Sequence, residues 1–324
     1  MVAVHAGAFA ACRDDVPWRA VAPGVWAWVP DEDAEISSTN AGHVLPTTVV
    51  VHERHALVID PGPSLRHGQR VRQSLSCRFG AEVRQVVNTH AHAENVLGNA
   101  AFADRLRHGR LEILANAATR EGMAKRCPAC LASLTKKAGS RAMAGTRIVL
   151  PTRTLNEGDV LSVGPYRLQV MRVERGHTDG DLVLWDAQRR LLWAGGLVYG
   201  KRLPELAQGT LDGWLAALDR LAALKPMVVI GNTVSQAPDA QGMPPALSST
   251  RDYLRKLRST VLGAMDAGRE AHEAGKLELP AYASWAGYAE RQGFNAQRAW
   301  RELEPMWMER GPAEAASIPE DVGR

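Results

Sequence analysis

Cysteine is scarce in this chain: four in 324 residues, too few for a disulfide framework at this length. Cys12 and Cys77 stand alone, and Cys127-Pro128-Ala129-Cys130 forms a single C-x-x-C. Long apolar runs are missing too. None nears the roughly 20 residues that a membrane-crossing helix needs, so no such span is expected. The charge excess is small, 39 Lys+Arg against 35 Asp+Glu, and does not by itself indicate a nucleic-acid partner. Low-complexity stretches and repeats of fixed period are also missing. What is present, 45% hydrophobic and 23% charged residues, is the make-up of a globular chain and argues against disorder. At about 150 residues per domain, the length allows two domains, or one large domain with an extension.

Strand-like and helix-like segments alternate over most of residues 25–235, which points to α/β layers. Val25–Val29, Thr47–His52 and Ala56–Ile59 read as strands, the last two as a hairpin. The turn cluster Asp60-Pro61-Gly62-Pro63 follows, then a helical pattern from Ser64 to Phe79. Further strands are expected at Val83–Asn88, Arg110–Ala115, Tyr166–Val173, Leu182–Asp186, Leu191–Ala194 and Met227–Ile230. Leu211, Trp214, Leu215, Leu218, Leu221 and Leu224 recur at three- and four-residue spacings and mark an amphipathic helix. A Pro/Gly-rich break spans residues 236–247. Beyond it, Ser249–Ala274 is helical in pattern, and Tyr282–Met308 is rich in aromatics. The expected organisation is an N-terminal segment over 1–20, a core over 21–240, and a C-terminal helical extension over 241–324.

The chemistry concentrates in Asn88-Thr89-His90-Ala91-His92-Ala93-Glu94-Asn95. In His-x-His at a strand end, both imidazoles fall on one side because side chains alternate with period two. A loop there lets both address one ion. Three protein ligands and one open position are the usual make-up of a catalytic zinc site. A second piece, Arg175-Gly176-His177-Thr178-Asp179-Gly180-Asp181, also lies between two strands, and its glycines suit a tight loop.

With these residues in order, the chain resembles the metallo-β-lactamase-fold hydrolase superfamily. The landmarks are Asp60-Pro61-Gly62, Thr89-His90-Ala91-His92, Gly176-His177-Thr178, Trp193-Ala194-Gly195-Gly196 and Val229-Ile230-Gly231-Asn232, covering roughly 40–235. The resemblance implies a four-layer αβ/βα sandwich, with metal at one edge of two sheets. It also implies one zinc on His90, His92 and His177, iron being the alternative ion. Departures fall on the second metal: Glu94 and Asn95 replace Asp and His, Gly196 replaces a bridging Asp, and Asn232 replaces a late His. The implied activity is hydrolysis of an ester, thioester or amide bond by a zinc-bound hydroxide. The competing reading is a non-catalytic metal- or ligand-binding protein on a retired hydrolase fold. A third, thiol or persulfide redox chemistry, needs iron or the cysteine pair. Asn295–Glu304 is similar to the C-terminal helix of the quinoprotein-relay or sulfur-oxidation-associated branch.

Several features carry two readings. Glu94 is either a general base, the catalytic residue of the site, or a capping or salt-bridged carboxylate at a helix start. Residues 101–150 hold ten Lys/Arg and three Asp/Glu. That is either a rim steering an anionic small-molecule substrate or a solvated helical face. With Phe102 the one aromatic in that window, nucleic acid is not expected. Cys127 and Cys130 read as a local disulfide, a redox pair, or two half-buried thiols. His5, His43, His52, His55, His67, His108 and His272 read as surface or packing residues, and the aromatics of the last segment as packing. The apolar start, Met1–Cys12, resembles part of an export signal but lacks a basic segment. Both cytoplasmic and periplasmic locations stay open.

Overall fold

The computed structural model describes residues 14–239 and 242–310. Its frame is two sheets. The first places β1 (Arg19–Ala22), β2 (Val25–Trp28), β3 (Thr47–His52), β4 (His55–Ile59), β5 (Glu82–Val87), β6 (Glu112–Ala115) and β7 (Arg153–Thr154) side by side in sequence order. The second is built from β8 (Val160–Val163), β9 (Tyr166–Val173), β10 (Asp181–Asp186), β11 (Leu191–Trp193), β12 (Val228–Ile230) and β13 (Val234–Gln236), again in sequence order. Strands β4 to β7 pair parallel, as do β11 and β12; all other pairings are antiparallel.

Among the described residues there are eight α-helices: α1 (Leu65–Phe79), α2 (Ala93–Val96), α3 (Ala103–Arg107), α4 (Ala117–Ala138), α5 (Ser140–Met143), α6 (Leu211–Ala223), α7 (Pro245–Asp266) and α8 (Tyr288–Arg310). The layers follow from which residues each strand buries. Leu57 and Ile59 of β4 meet Leu168, Leu182 and Leu184 of the second sheet in the central core. Ala56 and Val58, on the other face of β4, pack with Val71 and Leu75 of α1. Strands buried on both faces need helices on the outside, as parallel pairing does. The outer face of the second sheet is covered by α6, α7 and α8 through Trp185, Leu192, Trp214, Leu218, Tyr253, Leu257 and Trp300. The α/β four-layer sandwich with C-terminal helices is therefore the fold of this chain.

Local chemistry sets the element ends. Ser64 caps α1 by accepting from the His67 amide, and Gly80 closes it in a left-handed conformation at φ 59°, the usual cap pair. The helix expected over Ser249–Ala274 instead runs from Pro245 to Asp266. Gly268, at φ 73°, turns the chain out of it, and Ala271–Lys276 forms a separate 3₁₀ turn. The segments that follow β4, β5, β11 and β12 lie along one edge of the sandwich, where the β9–β10 loop joins them: Leu182 N–H donates to the Thr89 carbonyl at 2.7 Å. The landmark residues sit on this edge.

Candidate metal centre

His90 and His92 leave β5 on the short loop into α2, and His177 lies on the β9–β10 loop. The structure brings all three together: one ring nitrogen from each lies within 4.8 Å of the other two. The rings meet steeply, with centroids 4.9, 5.1 and 4.6 Å apart. His177 Nε2 is 3.2 Å from His92 Nδ1. His90 and His177 are buried and His92 is half-exposed, so the cluster is a nearly closed floor open at one side.

Each buried histidine is fixed by a carboxylate, His90 through its ring by way of Thr89 and His177 through its backbone. Asp60 accepts from the Thr89 amide at 2.9 Å and from its hydroxyl at 2.7 Å. With its proton given to Asp60, Thr89 Oγ1 accepts from His90 Nδ1 at 2.9 Å. That assignment makes His90 Nε2 the acceptor nitrogen, with the Asn95 amide nitrogen 2.9 Å from it. Asp181 braces the other loop through its backbone, accepting from the amides of His177 and Thr178 at 2.8 and 3.0 Å and from the Thr178 hydroxyl at 2.8 Å, while His177 Nδ1 is buried without a partner. Burial pushes both carboxyls up to about 7, against the pull of these hydrogen bonds.

Desolvation holds His90 and His177 well below the ordinary histidine range, with further lowering from the neighbouring imidazoles and, for His177, from Arg202. Neutral imidazoles are the form that binds a metal. The backbone is cut to fit as well. A Cβ at Gly196 would lie 2.3 Å from His177 Cδ2 and 3.0 Å from His90 Nε2, so only glycine seats the rings this closely. Three converging imidazole nitrogens, one ring backed through Thr89 by a buried carboxylate, are residues that fit one metal ion.

Glu94 stands in the first turn of α2. Its Oε1 is 3.6 Å from His92 Nδ1 and its side chain is 15% exposed. The carboxylate thus lies beside the cluster without joining it. Asn95 lays its amide nitrogen 2.8 Å from His90 Nδ1 and 2.9 Å from Nε2, and keeps a buried Oδ1 without a partner. Asn232 is also buried; its Oδ1 accepts from the Gly200 amide at 2.8 Å.

The walls were less visible in the sequence. Trp214 of α6 meets the His177 ring edge-on at 5.0 Å, and Tyr199 does so at 5.9 Å. Trp214 was legible as a core position of an amphipathic helix, and its Nε1–H donates to the Leu197 carbonyl at 2.9 Å; its contact with His177 had no sequence signal. Helix α4 closes another side. Its Gly122 allows Ala91 to approach, Thr119 Oγ1 donates to the Gly180 carbonyl at 2.7 Å, and Arg126 pairs with Asp179 at 3.1 Å. The basic window therefore brings Arg126 to the His177 loop.

Cys127 and Cys130 lie within α4 as free thiols, the first buried and the second half-buried. Burial pushes the Cys127 thiol up to about 12, which suits packing and not redox chemistry. His43 and His67 form a separate buried group, His67 stacking on Trp28 at 4.0 Å. The structure does not bring His52, His55, His108 or His272 into the cluster. His5 and the signal-like start lie outside the described residues.

Comparison with known proteins agrees with this architecture. The family profile described as the metallo-beta-lactamase superfamily matches residues 45–233, more than half of the chain, and the chain belongs to that superfamily. Among solved structures, the metallo-beta-lactamase from Pontibacter korlensis matches with a TM-score of 0.54 and 22% identity, covering 74% of this chain and 98% of its own. Hydroxyacylglutathione hydrolase of Bdellovibrio bacteriovorus is 30% identical over 84 residues, 26% of this chain and 33% of its own length. Acyl-coenzyme A thioesterase MBLAC2 of Gallus gallus is 35% identical over 77 residues, 24% of this chain and 27% of its own. The matched stretches span about a third or less of these curated relatives.

Proposed function

We propose that the protein is a metal-dependent hydrolase of an ester, thioester or amide bond, with one zinc ion on His90, His92 and His177. The observation that carries this reading is the convergence of three imidazole nitrogens at one sheet edge, with a carboxylate 3.6 Å from one of them. Two sequence relatives, a hydrolase and a thioesterase by name, support the reaction class, with thioesters the first substrates to try.

Zinc bound there would bring a coordinated water to a pKa of about 7 and polarise a carbonyl. The chain's own residues do the rest. Asp60, through Thr89, orients the His90 ring. Asp181 orients the His177 loop through two amides. Glu94 Oε1, at the open side of the cluster, is placed to take a proton from the attacking water and return it to the leaving group. Trp214 and Tyr199 exclude water from the far side of His177. Gly196 and Asn232 supply no ligating carboxylate or imidazole, so a single ion is the expected stoichiometry.

The test is elemental analysis of protein purified with zinc, followed by hydrolysis of a thioester panel. One equivalent of zinc, lost in His177→Ala, is expected, with turnover falling at least tenfold in Glu94→Gln at unchanged zinc content. Zinc near zero would leave a binding protein on this fold. Two equivalents would mean that Glu94, Asn95 or Asn232 completes a second site. Unaltered turnover in Glu94→Gln would assign Glu94 to the helix start alone.

A further inference from the structure

A recess of about 360 Å³ lies beside the start of α1 and shares no residue with the metal centre. Trp28, His43, Arg66, His67 and Arg70 line it, and Asp15 is the one acid on its wall among the described residues. The sequence at this helix start runs against the usual preference. Free amides and the helix dipole make that end positive, so carboxylates are favoured in a first turn. Helix α1, 15 residues long, has no acid there. It carries Arg66 instead, with Arg70 four residues on and on the same face. Arg66 is exposed and has no ion-pair partner among the described residues. Arg70 donates from Nε to the Asp15 carboxylate at 3.0 Å and from Nη2 to the Asp15 carbonyl at 2.9 Å. One carboxylate therefore answers two guanidinium groups and a helix end.

The two imidazoles add what a purely cationic pocket lacks. His43 meets the rings of Trp28 and His67, each with centroids 4.7 Å apart, and His67 Nε2 lies 3.0 Å from Thr47 Oγ1. Burial first, and then the neighbouring charge of Arg70, keep both imidazoles neutral. A neutral imidazole has one N–H and one lone pair. The carbonyls of Trp28 and Leu45 hold the N–H of His43. Its Nε2 is then the acceptor, and it is buried without a hydrogen-bond partner. The recess thus joins positive charge to a nitrogen that needs a donor. A cation would meet two arginines there, and a fully deprotonated anion would meet the lone pair of His43.

We propose that this recess is a second ligand site, for a phosphate group that keeps one proton. Its oxygens would sit on Arg66, Arg70 and the first amides of α1, and its P–O–H would donate to His43 Nε2. Phosphate offers guanidinium groups several charged acceptors and suits a helix start. Hydrogen phosphate also carries a proton near neutral pH, which sulfate does not. Free phosphate and a small phosphate monoester share this chemistry. The site stands apart from the hydrolase reading, since the recess and the three histidines have no residue in common.

Calorimetry tests it with inorganic phosphate, methyl phosphate and sulfate at pH 6, near the second pKa of a phosphate monoester, so that free phosphate and a large share of methyl phosphate keep a proton. Each is titrated into protein purified with zinc and again after chelation, because phosphate held by a metal would leave with the metal. Phosphate is expected to bind at least tenfold tighter than sulfate in both forms, the margin of one buried acceptor left unmet. Arg66→Ala, at an exposed position that spares the fold, should weaken phosphate at least tenfold, and Arg66→Lys should restore part of it. His43→Leu should remove the margin by weakening phosphate and not sulfate. Methyl phosphate binding as tightly as phosphate would identify an esterified ligand, and a tenfold loss would identify free phosphate. Equal affinity for sulfate, binding that disappears with chelation, or binding unmoved in Arg66→Ala would each overturn the proposal. Reading the margin with and without zinc keeps a failure of the metal assignment separate from a failure here.

Discussion

Gly209 gives the most direct test of how the His177 loop is seated. It has no special backbone angle; its constraint is space. A Cβ there would lie 1.6 Å from the Gly176 carbonyl oxygen, 2.5 Å from Gly176 C and 3.1 Å from His177 C. All three are backbone atoms, so no side chain can swing aside. Restoring even 3.0 Å requires the two segments to part by about 1.4 Å. Metal–ligand distances tolerate about 0.2 Å. Thr210, whose amide and hydroxyl both donate to the Arg175 carbonyl at 3.0 Å, resists the separation. Gly209→Ala should therefore cost about 1–3 kcal/mol of stability, the usual range for forced overpacking. It should also lower zinc affinity by at least the 10–100-fold typical of lost outer-shell support. Gly263→Ala is the control. It lies in α7 with nothing within 4 Å of its added methyl, and should stabilise by up to about 1 kcal/mol. Urea unfolding and competitive zinc titration of both variants measure this. Parent-like stability and zinc affinity in Gly209→Ala would refute the seating argument.

Two further outcomes follow from buried titratable groups. Burial lowers the His43 imidazole to about 4 from an ordinary 6.5, so the unfolded chain binds its proton first as pH falls. That contribution is intact above pH 6.5, is lost between 6.5 and 4, and amounts to about 3 kcal/mol by linkage. Asp60 and Asp181, raised to about 7, act oppositely over pH 4–7, so the measurement is the difference in pH slope between the parent and His43→Leu. A slope unchanged by the substitution would contradict the burial argument. For the cysteine pair, native alkylation at pH 8 should label Cys130 before Cys127, and denaturation should expose both to equal rates. Rapid native labelling of Cys127 would refute its assignment as a packed thiol.

The fold was legible where a local rule operates without help. β3 and β4 show β-branched runs, and α1 carries its own Ser and Gly caps. Histidine spacing at a strand exit, with the ordered landmarks, brought His90, His92 and His177 together before any coordinates. Legibility stopped where a residue's role depends on a partner far along the chain. Helix α4 contains Pro128, a residue that argues against a helix interior, and its apolar positions follow no clear stripe. It is held by contacts to Ala91, Val96 and Gly180. β1, β8 and β13, of four residues or fewer, lack the unbroken apolar run that marked the equally short β11 and β12. Asp60 showed as a turn residue, because its link to His90 runs through Thr89, 29 residues on. Arg202 was silent for the same reason: its ion-pair partner Glu35 also serves Arg291, 256 residues further along the chain.

The fit of Gly196 against the histidines also bears on the history open to this chain. Any side chain there must displace His177 or His90 before it can contribute anything of its own. A single substitution restoring a carboxylate at 196 would therefore damage the existing site first and repay only after the rings had shifted. That ordering works as a ratchet: descent from a glycine at this position favours refining the three-histidine centre over rebuilding a larger one.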